Sequence, residues 1–546
     1  MIREAGDSAL LLELDPVIDL HVNARAVAIA AALRRDRLPG IRDIVSTFRS
    51  VAVFFDPLRA DAAAIADAMR SACDVAPVAD DRPPIDVEVV YGGDSGPDLA
   101  DVAAFAGCAP GDVIDRHASR TYRVFMLGFL PGFAYMGTVD DSIAAPRRAT
   151  PRTRVPAGSV GIAGRQTGIY PVESPGGWQI IGRTAMKIFD PDRTPPALFA
   201  PGDQVRFVPV SSCGVSGFSR TDTTVRLKAD TTHEPGRSVT VLRPGLFTTI
   251  QDEGRWGYQA LGVPVSGPMD PVAHRLANAI VGNPRDAATL EATLLGPELR
   301  VEQQTMAALT GADLGATLDG AEVPRYAAVT CGSGSVIRFG ARREGARAYV
   351  AFDGGMTSPQ VLGSRATHAL SGLGGVEGRP LRAGDRLPLG ERFGTISLTT
   401  PRGRAPRPSP VGGARLRVLP GPQDDSFSPD AFAALAVTRF TVSAEADRMG
   451  YRLSCDRPVP AAPAGQMISD VTFMGALQVP PSGQPILLMA DRQTTGGYPQ
   501  IVTVITADLP AAGQLAPGDW VEFELCTRAD ALAALIAQEG RLLALG

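Results

Sequence analysis

Punctuation by glycine and proline limits how long any element of this chain can be. Its 546 residues include 59 glycines and 46 prolines. Glycine supplies turn conformations and proline ends regular elements, so many turns and short strands are expected rather than long helical bundles. The length suggests about three or four domains. With 45% hydrophobic and 20% charged residues, the balance is globular rather than disordered or fibrous.

Charge and rare residues exclude several functions. The formal net charge is −5, so a nucleic-acid partner is not expected. No apolar run approaches the roughly 20 residues of a membrane span, and the opening residues lack the apolar core of a signal peptide. A soluble, cytoplasmic protein is expected, without a membrane partner. Cys73, Cys108, Cys213, Cys331, Cys455 and Cys526 show no CxxC spacing, which argues against a zinc ribbon, a redox motif or a disulfide framework. His21, His117, His233, His274 and His368 are dispersed, with no HExxH, and no metal site is assigned. Lysine occurs only at Lys187 and Lys228, neither after a glycine. A GK[ST] phosphate loop is therefore absent, a Schiff-base mechanism is not expected, and any nucleotide must be held by arginines and backbone N–H groups.

Hydrophobic spacing divides the chain. Residues 1–80 read as a small α/β domain. A strand over Ala9–Leu14 precedes a helix marked by Val22, Ala26, Ile29, Ala30 and Leu33. Val51, Val53 and Phe55 then alternate as in a half-buried strand, and a second helix runs through Ile65–Met69. Residues 81–212 open with a strand at Ile85–Val90, carry short helices near Leu99–Phe105 and Val113–Ala118, and continue as short strands. Residues 213–236 and 401–413 read as linkers. They bracket β-rich units at 237–400 and 414–546. In the second half, Asp270 as N-cap, Pro271 at the first helical position and Gly282 as stop define a helix whose buried stripe is Ala273, Leu276, Ala277, Ile280 and Val281.

One weak repeat recurs. Pro201-Gly202-Asp203 leads into Gln204-Val205-Arg206-Phe207, and Pro517-Gly518-Asp519 into Trp520-Val521-Glu522-Phe523; Ala383-Gly384-Asp385 is a looser copy. Each reads as a tight turn delivering a closing strand. The repeat is either three units of related build or a common turn used three times.

Several segments concentrate chemistry. In Gly128-Phe129-Leu130-Pro131-Gly132-Phe133-Ala134-Tyr135, aromatics flank a tight path. It is a wall over a ligand or, as residue types alone favour, a packed turn. Arg147, Arg148, Arg152 and Arg154 sit on a proline-stiffened segment, and guanidinium matches phosphate or carboxylate. Gly158, Ser159, Gly161 and Gly164 follow, in a glycine spacing that either aims N–H groups at an anion or serves plain turns. Ala185-Met186-Lys187 mimics a biotin-attachment tripeptide, but it runs into a strand, so biotinylation is not expected. Gln251, Asp252 and Arg255 place amide, carboxylate and guanidinium together. Ser266 and Met269 lead into the capped helix, whose N-terminus either binds an anion or is simply capped by Asp270. Asp447-Arg448 and Ser469-Asp470 follow. The densest run is Asp491-Arg492-Gln493-Thr494-Thr495-Gly496-Gly497-Tyr498, polar side chains set between apolar strands, where they need partners or a ligand.

These motifs resemble two families. GFLPGFAYMG (128–137), PRRATPRTRVPAGSVGIAGRQTGIYP (146–171) and SPGGWQIIGRT (174–184) resemble the KipI family, also called allophanate hydrolase subunit 1 or the B component of 5-oxoprolinase. TTIQDEGRWGYQALGVPVSGPMD (248–270), LGSRATH (362–368), DRMGYRL (447–453) and DRQTTGGYPQI (491–501) resemble the KipA family, known as the C component of 5-oxoprolinase or allophanate hydrolase subunit 2, related to biotin-dependent carboxyltransferases. The chain looks like a fusion of the two. Two positions depart from the pattern: Gln466, where an acidic residue is expected, and Cys455, where a glycine is usual.

The resemblance implies a mainly β fold: cyclophilin-like β-barrels preceded by the small α/β sandwich, with residues 81–212, 237–400 and 414–546 each expected as a barrel. It also implies ATP-dependent opening of 5-oxoproline to glutamate. The partner it implies is a separate 5-oxoprolinase component A, of the LamB/YcsF family. ATP and Mg²⁺ are the implied cofactors, and a homo-oligomer is left open. In that scheme Arg492 and Arg448 clamp an anion, while Asp491 and Asp470 act as acid/base groups or Mg²⁺ ligands. Gln251, Asp252, Arg255, Ser266, Met269, Thr494, Thr495 and Tyr498 bind substrate. Arg147, Arg152 and the Gly158, Ser159, Gly161, Gly164 segment contact ATP phosphates or the interface with the partner. Two alternatives stay open: a carboxyltransferase component of a urea carboxylase-like system, and a KipI-like regulatory binding protein.

Overall fold

The computed structural model describes residues 1–77, 82–211, 236–393, 411–462 and 467–544. Of the expected linkers 213–236 and 401–413, only residues 236 and 411–413 fall among the described residues; Gln466 lies outside them. Among the described residues no helix is long and apolar enough to cross a membrane.

The first unit is a four-stranded antiparallel sheet in the order Ile2–Glu4, Ala9–Glu13, Ser50–Phe55, Ile41–Ser46. Helices Leu20–Asp36 and Ala62–Ala72 start on Asp19 and Asp61, whose carboxylates accept the first free N–H groups. Because strand side chains alternate between faces, Leu10, Leu12, Val51, Val53 and Phe55 meet Ile29, Leu33, Ile65 and Met69 of the helices. The strand Ser50–Phe55 is buried at every position, not on one face. Ala9, Leu11, Ala52 and Phe54, which would otherwise face water, pack against Val471, Phe473, Ala476 and Leu488 from the far end of the chain. The expected half-buried strand is thus sandwiched, because a partner sequence hundreds of residues away covers its second face.

The second unit is a closed seven-stranded barrel. Around it run Gln166–Ile169, Ala134–Gly137, Thr121–Leu127, Gln204–Pro209, Ile85–Tyr91, Gln179–Arg183 and Ser159–Ala163. Closure joins its first and last strands, Ile85–Tyr91 and Gln204–Pro209, in parallel. Helices Leu99–Ala106 and Pro110–Ala118 cover one end. A second seven-stranded barrel ends the chain, built from Gly413–Pro420, Gln500–Val504, Ala476–Gln478, Ile486–Leu488, Gly450–Ser454, Phe440–Val442 and Trp520–Leu525. Its first and last strands also pair in parallel.

Between the barrels, residues 237–393 do not form the expected third barrel. A six-stranded and a five-stranded sheet face each other, neither closed. Their shared core holds Val239, Val241, Leu299 and Ile337 from one and Leu290, Leu309, Val350 and Phe352 from the other. Burial against a second sheet replaces closure as the way to cover an apolar face. The helix expected after Asp270 forms as Pro271–Ile280, with Asp270 Oδ1 accepting from the Ala273 N–H at 2.9 Å. Ala273 and Ala277 pack on Ala308, Tyr349 and Ala351 of the five-stranded sheet.

The weak repeat is a real device. Asp203, Asp385 and Asp519 each accept, through a carboxylate oxygen, from the N–H three residues earlier, at 2.7, 2.7 and 2.9 Å. The adjacent Gly202, Gly384 and Gly518 have φ of 101°, 91° and 89°, a region glycine enters without a Cβ clash. Their N–H groups donate to the carbonyls of Val124, Val241 and Val442, and the N–H groups of those valines donate to the carbonyls of Asp203, Asp385 and Asp519. One turn chemistry closes all three β units.

Candidate active site

The two barrels meet across a cleft of about 540 Å³. The first barrel contributes an aromatic wall. Phe133 lies at its centre, with Tyr135 at 4.9 Å, Tyr170 at 5.3 Å and both Phe129 and Trp178 at 5.4 Å between ring centroids, all edge to face. Phe48 of the α/β unit supports this wall against Phe125 and Tyr135. The opposite wall comes from the second barrel: Met449, Arg452, Ser469, Arg492, Thr495 and Tyr498. The GFLPGF segment therefore satisfies both of its readings: Leu130 and Phe133 are buried core, and Phe129 and Phe133 line the cleft.

The walls are fastened together. The Phe129 N–H donates to Thr495 Oγ1 at 3.1 Å, and the Gly132 N–H donates to the Leu261 carbonyl at 2.8 Å. Of the residues expected to bind substrate, Thr495 and Tyr498 line the cleft, with Tyr498 44% exposed at its rim.

Arg492 lines the same cleft, although only 4% exposed. Its Nη2 donates to Gln259 Oε1 at 2.8 Å and its Nε to the Thr472 carbonyl at 3.3 Å. Among the described residues no carboxylate lies within 4.0 Å of it. Burial pushes the guanidinium down to about 10, with Asp43 acting the other way, so it stays charged at neutral pH. A desolvated cation without an adjacent carboxylate is costly unless an anion joins it, and the cleft is where one can enter.

Arg448 and Asp491 are placed differently from expectation. Arg448 Nε and Nη2 donate to both Asp491 oxygens at 2.9 and 3.0 Å, Nη2 also to the Gly267 carbonyl at 2.7 Å, and Nη1 to Glu291. With two carboxylates and a carbonyl taking its donors, Arg448 is not available as an anion clamp. Burial pushes the Asp491 carboxyl up, but Arg448, His368 and hydrogen bonds outweigh it and hold it below its ordinary value. A paired, ionised carboxylate is a poor acid/base group. Neither residue lines the cleft.

Asp470 does not line the cleft either, although its neighbour Ser469 does; it lies in the joint between the second barrel and the α/β unit. Its Oδ1 accepts from Ser50 Oγ, from Thr47 Oγ1 at 3.3 Å and from the Val471 N–H at 2.8 Å, and burial raises its pKa. It fastens two units rather than facing substrate. Asp491 and Asp470 do not converge, so they do not fit a shared Mg²⁺. Among the described residues no three His, Cys, Asp or Glu side chains cluster as a metal site.

The remaining expected substrate residues lie behind the cleft. Gln251 donates to Thr249 Oγ1 and the Thr367 carbonyl. Asp252 accepts from Ser364 Oγ at 2.6 Å and from the Arg365 and Gly254 N–H groups. Arg255 donates to the carbonyls of Val361 and Ala366 at 2.8 Å each. Met269 is core, Ser266 is buried with its hydroxyl toward Asp491, and Thr494 is buried. All but Thr494 belong to the segment 251–269, from which the Gln259 side chain and the Gly267 carbonyl reach Arg492 and Arg448. The helix after Asp270 is capped by its own aspartate, as the plainer reading had it.

The expected phosphate loop is a strand. Ser159–Ala163 sits inside the first barrel, paired on both sides. The Gly158 N–H donates to the Tyr170 carbonyl, Ser159 to Pro156 and Gly164 to Ala145. Gly161 packs under Trp178. None of these groups points N–H donors at a ligand; the glycines serve close packing. Arg152 is bidentate to the buried Asp98 at 2.8 and 2.6 Å, which Arg148 also contacts at 2.9 Å. Arg147, exposed at the cleft rim, has no ion pair among the described residues. Lys187 is exposed and pairs with Asp190 at 2.8 Å. Cys455 ends the strand Gly450–Ser454, its N–H donating to Gln484 Oε1.

Sequence reasoning missed Gln259, Glu291, Tyr170 and Arg452. Gln259 lies inside the 248–270 motif and Glu291 just beyond the capped helix, but local pattern gives neither a role, because each matters through an arginine far along the chain. Tyr170 closes a segment already singled out, and Arg452 lies in one.

Two family models match: "Carboxyltransferase domain, subdomain C and D" over residues 1–199 and "Carboxyltransferase domain, subdomain A and B" over 261–525. A 5-oxoprolinase B component of Bacillus subtilis is 40% identical over 222 residues, covering 38% of this chain and 92% of that protein. A 5-oxoprolinase C component of Escherichia coli is 36% identical over 301 residues, covering 54% of this chain and 93% of that protein. The crystal structure of TTHA0988 superposes with a TM-score of 0.83 at 35% identity, covering 96% of this chain and all of that one. The urea amidolyase of K. lactis matches with a TM-score of 0.52 at 29% identity, over 58% of this chain and 20% of its own.

Proposed function

The chain belongs to the carboxyltransferase-domain family as a fusion of a half resembling the B component of 5-oxoprolinase and a half resembling its C component, and from that premise we propose that it is the fused B/C component of an ATP-dependent 5-oxoprolinase. Together with a separate component A of the LamB/YcsF family it hydrolyses 5-oxo-L-proline to L-glutamate, with ATP giving ADP and phosphate, in the cytoplasm. The observation that carries this reading is Arg492: a buried guanidinium with, among the described residues, no carboxylate within 4.0 Å, set opposite an aromatic wall.

A small lactam carboxylate suits that pair. Its carboxylate offers Arg492 the bidentate partner the protein does not provide, and its ring lies against Phe129, Phe133 and Trp178. Arg147 at the rim is available to phosphate, whereas Arg152 is held by Asp98. Transfer of the γ-phosphoryl group to the amide oxygen, with ADP leaving, makes the ring carbon open to water. Water adds to that carbon, cleavage of the C–N bond with a proton to nitrogen leaves an acyl phosphate of glutamate, and a second water breaks that acyl phosphate to release glutamate and phosphate. The protein's part is to hold the anion, fix the ring and offer positive charge to the transferring phosphoryl group.

The likeness to urea amidolyase supports a second reading, a carboxyltransferase acting on an amide with biotin supplied by a partner. Glutamate release from 5-oxoproline and ATP, with and without the LamB/YcsF-family partner, tests the first reading, and avidin blotting of the purified complex tests the second. ATP-dependent glutamate release with no avidin signal is expected; no release together with a biotinylated partner would favour the carboxyltransferase.

A further inference from the structure

Two arginines flank strands of the second barrel, Arg448 just before Gly450–Ser454 and Arg492 just after Ile486–Leu488, and the chain treats them in opposite ways. Arg448 is surrounded by Asp491 and Glu291. Among the described residues Arg492 donates to neutral acceptors alone, the Thr472 carbonyl and the side-chain oxygen of Gln259. We propose that Gln259 is a specificity-determining positioning residue of the cleft: it orients Arg492 through its amide oxygen while leaving the guanidinium charge for a bound carboxylate. This rests on the reading of Arg492 as the anchor for the substrate's anionic group.

The placement of Gln259 explains why an amide is required. It is buried on the loop between the strand Phe247–Gln251 and the helix Pro271–Ile280. The α/β unit fixes that loop: Asp43 Oδ2 accepts from the N–H groups of Gly257 at 3.1 Å and Gln259 at 3.0 Å, and the Arg42 guanidinium lies 5.1 Å from the Trp256 ring centroid. The first barrel fixes its other end, where Leu261 bridges to Leu127. Gln259 thus stands between a carboxylate and a guanidinium, Asp43 behind it and Arg492 in front. A glutamate here would face Asp43 with like charge and pair with Arg492, turning the open arginine into a second Arg448. An apolar residue of the same length would leave Arg492 Nη2 without its acceptor and free to turn. Only an amide accepts from the guanidinium without cancelling it.

The consequence is selectivity between an anion and its neutral counterpart. Titration calorimetry of the full chain with benzoate and benzamide reads it directly, since the pair shares a ring and differs in charge. The wild-type chain is expected to prefer benzoate at least about tenfold. Gln259→Glu abolishes that preference while benzamide binding persists, and Gln259→Met weakens benzoate several-fold with a smaller effect on benzamide. Arg492→Gln gives the same loss as Gln259→Glu. Unfolding midpoints of every variant identify any that fail to fold, in which case Gln259→Met carries the test. Variants of Gln259 that fold and keep the wild-type benzoate preference would overturn the proposal, as would a wild-type chain that shows none. Wild-type binding of benzoate without binding of 5-oxoproline would instead overturn the substrate reading and leave the role of Gln259 standing.

Discussion

The main-chain N–H of Phe129, in the KipI-like half, donates to the hydroxyl of Thr495, in the KipA-like half, at 3.1 Å. A Cβ on the preceding Gly128 would stand 2.2 Å from that same oxygen and 2.6 Å from Thr495 Cγ2. The cleft exists because one backbone segment approaches one β-branched side chain this closely.

Gly128→Ala is therefore expected to part the halves locally and destabilise the protein by roughly 1–3 kcal/mol, the usual cost of forcing atoms into a packed site. Thr495→Ala alone removes one hydrogen bond, about 0.5–1.5 kcal/mol. It also removes the nearest of the clashing atoms, so the double variant is less destabilised than the sum of the singles. A double-mutant cycle by urea unfolding checks this; strict additivity would mean the two positions do not touch in solution.

Asp491 holds a buried arginine, so its removal is expected to act on stability first. Asp491→Ala leaves Arg448 with Glu291 alone and lowers the unfolding free energy by roughly 3–5 kcal/mol. Because its folded pKa lies below the ordinary value, this stabilisation is present above the ordinary carboxylate range and lost as pH falls through the depressed folded value. An Asp491→Ala protein as stable as wild type yet inactive would return this carboxylate to catalysis.

Asp270 titrates in the opposite sense. Burial raises its carboxyl to about 6, helped by nearby Glu291 and opposed by hydrogen bonds from Ala273 and Gln514. The folded state thus holds its proton more tightly than the unfolded chain. The stability this contributes is full below about pH 4 and is lost as pH rises through about 6. Unfolding midpoints measured from pH 4 to pH 7 are expected to show this fall, and Asp270→Asn flattens it; an unchanged slope in that variant would assign the titration elsewhere.

The glycine segment and the rim arginine separate two roles for the first barrel. At Gly158, φ is 81° and a Cβ would stand 2.2 Å from the Thr184 carbonyl oxygen. Gly158→Ala is expected to lower thermal stability without changing ATP affinity of the folded protein. Arg147→Ala is expected to do the reverse, weakening ATP several-fold at unchanged stability. Fluorescence titration with a labelled ATP analogue, alongside thermal melts, distinguishes them; weaker nucleotide binding in folded Gly158→Ala would restore the phosphate-loop reading.

Local chemistry was legible in the sequence and long-range pairing was not. The helix Pro271–Ile280 announces itself because cap, first-turn proline and apolar stripe lie within a dozen residues. The closing turns at Asp203 and Asp519 are legible for the same reason. By contrast, Arg448 and Arg492 look alike in sequence, each next to an aspartate. What separates them is Glu291 and Gln259, delivered by a strand and a loop far away. The spacing of Gly158, Gly161 and Gly164 suits an anion loop and a tightly packed strand equally. Only the pairing of Ser159–Ala163 on both edges decides between them. The third expected barrel opened into a sandwich because strand patterning reports which face is buried, not what buries it.

The central claim is that Arg492 anchors an anionic substrate in the cleft between the two halves. It is tested by steady-state glutamate release from 5-oxoproline and ATP, with the LamB/YcsF-family partner present, comparing wild type with Arg492→Gln. The expected result is a fall in kcat/KM of at least about a hundredfold, corresponding to loss of one charge-assisted pair, with the unfolding midpoint unchanged. An Arg492→Gln protein that turns over 5-oxoproline with wild-type kcat/KM would contradict the account.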